Sequence, residues 1–320
     1  MALPNPIPTI PSRRSGQGSF WKRFRRHWQL YVLLLLPLLY LALFHYWPMY
    51  GVQIAFRNYN PIQGFAGSAW VGWDHFERFF NTYDFWRTMR NTLSLSIYSL
   101  IAGFPFPIIL ALGLHYTTRK WFKNSVQMVA YAPYFISVVV MVGMILQVLQ
   151  PNTGMVNNFR GLFGLPDINF MAQPQLFPHI YVWSGIWQTV GFGCVIYLAA
   201  LAGVDPTLHE AAIIDGASKV QRMWHIDLPE IMPVAILLLV LALGGILSTG
   251  FEKILLMQNP LNLRASEVID TYVYRVGLNS AIPNYSYATA IGLFKSVVGL
   301  ILVILANRLA ARVGRGSNVF

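Results

Sequence analysis

The sequence predicts an all-α polytopic membrane protein with six transmembrane helices. Of the 320 residues, 55% are hydrophobic and only 11% are charged. The apolar residues come in long blocks rather than amphipathic stripes, as in chains that meet lipid. Six blocks approach the roughly 20 mostly apolar residues needed to cross a hydrocarbon layer about 30 Å thick. Lipid offers no water to satisfy peptide groups, so such blocks form helices, and strand-like alternation of polarity does not appear.

In chain order, the stretch up to about Gly18 is rich in Pro, Ser, Gly and Arg, has no periodicity and is expected to be disordered. Phe20, Trp21, Phe24 and Trp28 then interleave with Lys22, Arg23, Arg25 and Arg26. That pattern predicts a segment lying along the membrane surface, with lipid headgroups rather than nucleic acid as its anion. The apolar run from Leu30 is too long for the core of a cleavable signal, and no small-residue cleavage site follows it. The predicted spans are about 30–47, 93–115, 126–149, 177–202, 231–249 and 287–311. Residues 28–312 are thus read as the membrane domain, with a tail before it at 1–27 and another after it at 313–320. Pro105, Pro107 and Pro133, with Gly191, Gly193, Gly244 and Gly245, are expected at kinks and close helix approaches.

Basic residues set the orientation. Arg13, Arg14, Lys22, Arg23, Arg25 and Arg26 precede the first span without a single acid, which predicts a cytoplasmic amino terminus. Six spans return Arg308, Arg312 and Arg315 to that side, and Arg119, Lys120 and Lys123 between spans two and three agree. The net charge of +11 is therefore a statement of topology. The loop at 204–230 is also cytoplasmic on this reading, although only Lys219 and Arg222 stand against Asp205, Glu210, Asp215, Asp227 and Glu230. A basic partner surface would account for that excess.

No catalytic or metal-binding residue is assigned, and the chain is not read as an enzyme. Cys194 is the only cysteine. HExxH, GxSxG, a P-loop and metal-spaced histidines are all absent from the sequence. His45, His115 and His179 fall near span ends and are read as interfacial. None of the 12 acids lies in the middle of an apolar span, where a proton-coupled carrier would keep one, and no internal repeat marks a secondary transporter. If the chain moves a solute, the energy must then come from another polypeptide.

The loop at 204–230 carries the punctuation of two short helices. Asp205 can cap a helix with Pro206 at its first position. Gly216 permits a sharp turn. Ser218 to Ile226 places Val220, Met223 and Trp224 on one face, and Pro229 is expected to close the second helix. Glu210, Ala211, Ala212, Gly216, Ile226, Leu228 and Pro229, at their spacing, match the EAA loop of bacterial ABC importer permeases. The stretches HYWPMYGVQIAFRNYNP, WVGWDHFERFF, DFWRTMRNTLSLSIYSL, EVIDTYVYRVGL and YSYATAIGLFKS resemble the branch handling complex oligosaccharides and polysaccharide fragments. The chain lacks the large inserted extracytoplasmic domain and extra amino-terminal spans of the maltose-type subunit.

The resemblance implies a type I ABC importer permease fold in the bacterial inner membrane. It implies two cytoplasmic ATPase subunits that bind ATP and Mg in place of this chain. A second permease subunit, distinct or a copy of this one, and an extracytoplasmic solute-binding protein complete the set, with an oligosaccharide as cargo. Glu210, Ala211, Ala212, Asp215, Gly216, Ile226, Leu228 and Pro229 would form the ATPase-coupling element. By the same resemblance Trp187, Gln188, Thr189 and Phe192 of the fourth span, with Phe251 and Glu252 beyond the fifth, would line the sugar cavity.

Sugars expose C–H faces and hydroxyl edges, which suit aromatic and hydrogen-bonding side chains, but the same residues also serve as packing and interfacial groups. Lys295, about eight positions into the sixth span, either faces that cavity, where it would suit an acidic sugar such as a uronate oligomer, or pairs with Glu252 or another acid. The competing readings are an importer of a non-sugar solute, an ion-coupled carrier and a membrane-bound glycosyl-transfer enzyme. The last would need a catalytic acid or metal motif that the loops lack.

Overall fold

The computed structural model describes residues 27–313 and Arg25, with side chains through Arg308. Apart from Arg25, His27 and Trp28, the expected surface segment at 20–28 lies outside the described residues, as does the tail from 314. The chain divides into two compact units, one ending at Gln53 and the other beginning at Ile54.

The first apolar block is α1 (Trp28–Leu41), continued by a π turn (Ala42–Tyr46) and a 3-10 stretch (Trp47–Phe56). Pro37 lies inside α1. After it, a two-residue antiparallel ladder pairs Arg57 with Trp70 and Asn58 with Ala69. Arg57 Nη1 fastens the intervening turn by donating to the Phe65 and Ser68 carbonyls at 2.9 and 3.0 Å.

The second unit continues through α2 (Asp74–Phe80), α3 (Tyr83–Gly103) and α4 (Pro105–His115). α3 and α4 form one span, Tyr83–His115, which starts about three turns earlier than the apolar block alone predicts. Polar residues near its start (Asp84, Arg87, Asn91) hide that beginning from a hydropathy reading, because each is bonded within the fold. Pro105 falls at the first position of α4, where its missing donor costs nothing, and Phe104 before it keeps helical angles.

The third predicted span is broken. α5 (Lys120–Tyr131) passes through a 3-10 turn (Ala132–Phe135) and meets α6 (Val138–Val148) at an angle of 102°. Pro133 removes a backbone donor at the bend, Ile136 is extended, and Ser137 starts the new helix by accepting the Val140 N–H. Among the described residues there are therefore five helices long and apolar enough to cross a membrane, or six if this bent pair is one span.

α7 (Met155–Gly161) leads to α8 (Phe177–Leu201), the longest helix wholly surrounded by others in the sequence order. α8 is packed so closely on α5 that a Cβ at Gly191 would stand 1.9 Å from the Ala130 carbonyl oxygen. Gly244 makes a similar but looser approach to Val303.

α9 (Pro206–Ile214) and α10 (Lys219–Arg222) occupy the loop. The expectation that Pro229 closes the second helix is corrected. The chain runs on from α10 through a π turn (Met223–Asp227) into α11 (Leu228–Gly244), giving one span, Lys219–Gly244. Pro229 is tolerated because it sits within the first turn of α11, directly after that widened turn. α12 (Phe251–Met257), α13 (Leu263–Ser266), α14 (Ile269–Gly277) and α15 (Tyr285–Val313) complete the chain.

Two cores anchor opposite ends of this unit. Ala111, Leu112, Cys194, Tyr197, Ile231 and Ala235 join α4, α8 and α11 near the loop. Leu95, Val142, Phe177, Ile254, Met257 and Val268 join the start of α8 to α3, α6 and α12. The burial accounts for apolar side chains that face protein rather than lipid.

Candidate functional site

The loop at 204–230 is rigidly built. Asp205 accepts the Thr207 N–H at 2.9 Å, with Pro206 at the first helical position. That backbone hydrogen bond holds the Asp205 carboxyl below its ordinary value. α9 ends in a Schellman turn: the Ala217 N–H reaches the Ala212 carbonyl at 2.8 Å and the Gly216 N–H the Ile213 carbonyl at 3.1 Å. Gly216 has φ +77°, so the turn expected there exists and uses the left-handed region. Ser218 opens α10 with a capping box, its Oγ taking the Gln221 N–H while Gln221 Oε1 takes its own N–H.

No residue of α9 is buried. Glu210, Ala211, Asp215, Gly216 and Pro229 are exposed, whereas Ala212, Ile226 and Leu228 are half-buried, Leu228 against the core of α4 and α8. Ile214 is 86% exposed, and Leu208, Ile213, Val220 and Trp224 are exposed as well. Held by these caps, the loop still presents apolar side chains at its surface.

The residues expected to line a sugar cavity are more dispersed. Gln188 Nε2 donates to the Ile136 carbonyl at 3.0 Å and Phe192 stacks on Tyr134 at 4.0 Å, so both support the break between α5 and α6. Thr189 Oγ1 donates back to the Gly185 carbonyl in its own helix. Trp187 lines a different, apolar groove of about 730 Å³ with Phe106, Trp121 and Pro133. Phe251 and Glu252 are exposed at the start of α12, where Phe251 packs edge-on against Tyr274. Lys295 is paired with Asp270, not Glu252, through both carboxylate oxygens.

Sequence reading missed two polar recesses. The first, about 560 Å³, lies at the start of α3, far along the same span from His115. Tyr83, Trp86, Arg87 and Arg90 line it with Gln175 and Arg264. Arg87 is committed to Asp84 and to buried Glu267, which also holds Arg275 at 2.6 Å. Asn91 Nδ2 donates to the Arg264 and Glu267 carbonyls, fixing the far wall. Arg90 and Arg264 have no ion-pair partner among the described residues. Uncommitted guanidiniums beside aromatic faces suit an anion with apolar surfaces. These residues are some 170 positions apart in the chain, so no local spacing could have announced them.

The second recess, about 260 Å³, is lined by Ser96, Tyr181, Thr249 and Gly250. Ser96 Oγ and Thr249 Oγ1 are buried there without a partner. Lys253 beside it donates to the Tyr181 carbonyl at 2.8 Å and stands 4.7 Å from that ring's centroid. Burial pulls the Lys253 ammonium down to about 8.

Residues 103–315 match the family described as "binding-protein-dependent transport system inner membrane component". The chain is 42% identical over 313 residues to Protein LplB of Bacillus subtilis (strain 168), covering 96% of this chain and 98% of that protein. It is 44% identical over 285 residues to the polygalacturonan/rhamnogalacturonan transport system permease protein YteP of the same organism, covering 89% and 88%. Among solved structures, a chain of the bacterial alginate ABC transporter in complex with an alginate pentasaccharide-bound periplasmic protein superposes with a TM-score of 0.85. The identity is 41%, covering 93% of this chain and 99% of that one.

Proposed function

Since the chain belongs to the family of binding-protein-dependent transport system inner membrane components, we propose that it is the membrane-spanning permease of an ATP-driven oligosaccharide importer. Its cargo is acidic, of the uronate-oligomer class, and arrives on an extracytoplasmic solute-binding protein. The chain crosses the bacterial inner membrane with both termini in the cytoplasm. It catalyses nothing itself; two ATPase subunits bind ATP and Mg, and a second permease of similar fold shares the pore.

The observation that carries this reading is the capped α9–Gly216–α10 element, which exposes Ile213 and Ile214 with no residue of α9 buried. Such an element offers an ATPase cleft a stiff handle: Glu210 meets a basic group, Ala211 and Ala212 allow close approach, and Gly216 makes the bend. Motion of the handle passes to the membrane through α11, with which α10 is continuous, and rocking of the helices alternates access.

The acidic cargo is supported by the relatives, one named for polygalacturonan and rhamnogalacturonan and one solved with alginate. The Arg90–Arg264 recess supports it independently, because a guanidinium recognises a carboxylate through paired donors while aromatic rings accept sugar C–H faces. On this reading the sugar first meets the chain at the start of α3 and α8, at the opposite end of those helices from α9.

The test is reconstitution into vesicles with the ATPase pair, the second permease and the binding protein. Uptake of a uronate oligomer that requires ATP and the binding protein is expected. Uptake driven by an imposed ion gradient without the ATPase subunits would overturn the assignment.

A further inference from the structure

Where α4 ends, three side chains from separate elements converge: His115 of α4, His209 of α9 and Asp227 of the π turn before α11. Asp227 is fully buried. Its Oδ2 accepts the Tyr116 hydroxyl at 2.5 Å, which fixes the carboxylate plane. Its Oδ1 stands 3.2 Å from His209 Nε2, yet both atoms are buried and neither makes a hydrogen bond. The two atoms stand at ion-pair distance but out of line for a hydrogen bond, so each buried atom is left open to a third party.

The spacing identifies that party's class. Ligand atoms each about 2.0–2.1 Å from a tetrahedral ion stand about 3.3 Å apart, close to the separation of His209 Nε2 and Asp227 Oδ1. The ligand-capable atoms of all three residues lie within 4.8 Å of one another. Two imidazoles and one carboxylate suit a borderline ion of the zinc type rather than magnesium or calcium, which take oxygen-rich shells. A tyrosine holding the second carboxylate oxygen is the outer-sphere support such sites carry.

We propose that His115, His209 and Asp227 form a site for a divalent transition-metal ion of the zinc class, with water in the fourth position. The ion clips α9 to the end of α4 and to the turn that opens α11. It thereby makes the loop and two spans move as one body; this consequence, though not the site itself, rests on the coupling role given above.

The full chain, purified in detergent and stripped with chelator, is titrated with Zn²⁺ against a chromophoric competitor and separately with Co²⁺. One Zn²⁺ per chain is expected, and Co²⁺ should give the intense visible absorption of a tetrahedral N/O site. His209→Gln and Asp227→Asn should each abolish both signals, and Tyr116→Phe should weaken Zn²⁺ binding by about 10-fold. If Asp227→Asn yields no folded protein, His115→Gln and His209→Gln decide. No Zn²⁺ bound by the wild-type chain, or the same affinity in the histidine variants, overturns the site. Neither result touches the importer assignment, because no step of the assay involves transport.

Discussion

Lys295 Nζ stands 2.5 and 2.7 Å from the two carboxylate oxygens of Asp270, joining the membrane helix α15 to α14. Both side chains are mostly buried, at 18% and 23% exposure. The ammonium's charge is met within the fold, so its depth in an apolar helix is explained without a ligand.

Lys295→Gln is therefore expected to act on stability before selectivity. Removing one partner of a mostly buried pair should cost about 1–3 kcal/mol, read as a lowered thermal midpoint in detergent. Uptake of acidic and neutral oligomers should fall together. Selective loss of acidic cargo alone would assign Lys295 to the sugar path instead.

Gly216 gives a graded test of the loop. An added Cβ meets no atom within 4 Å, so the penalty of Gly216→Ala is the left-handed backbone alone, roughly 1–2 kcal/mol. Asparagine tolerates that conformation better, while proline is excluded from it and also removes the donor to Ile213. Stimulation of ATP hydrolysis by the loaded binding protein should decline from Gly216→Asn through Gly216→Ala to Gly216→Pro, with the subunit still in the membrane. Glu210→Lys, which leaves the caps intact, should uncouple as well. Wild-type coupling in all four variants would remove the loop from this role.

Arg90→Gln and Arg264→Gln test the outer recess. Neither guanidinium is needed for an ion pair of the fold, so assembly should be unchanged. Uptake of uronate oligomers should drop by about 10-fold or more for the pair of substitutions, the loss expected of one or two charge-assisted contacts. Neutral oligomers should be spared. Equal loss for both cargoes would mean that the recess is structural.

Lys253 predicts a pH dependence of stability. The unfolded lysine keeps its ordinary value of 10.5 while the folded one releases its proton near 8. Between those values the unfolded state binds more protons, so stability rises with pH; below 8 both states are charged and this contribution is flat. The rise amounts to at most about 3 kcal/mol. Lys253→Met should be more stable than wild type at pH 7, and the difference should shrink as pH increases toward 10. A constant difference across that range would show that Lys253 is not held by burial.

By itself, the sequence determined that the chain is helical, that it belongs in a membrane, and that a short polar loop between two spans carries the EAA pattern. It also determined part of the punctuation of that loop, the Asp205 cap and the turn at Gly216, because those signals are local, while the end it set for the second helix at Pro229 was wrong. Hydropathy over a window sees block length and average polarity, and those decide partition into lipid.

Only the tertiary structure decided where spans begin and break and which distant side chains meet. The bend after Pro133 and the helix running unbroken past Pro229 contain the same residue type with opposite outcomes, since Pro229 falls in the first turn of α11 after a widened turn whereas the chain beyond Pro133 becomes extended at Ile136. Asp270 beside Lys295, Arg90 beside Arg264, and His209 beside Asp227 are pairings across helices. Such contacts depend on how helices rotate and approach one another, which is set by close packing such as that of Gly191 against Ala130, and a one-dimensional pattern holds no record of it.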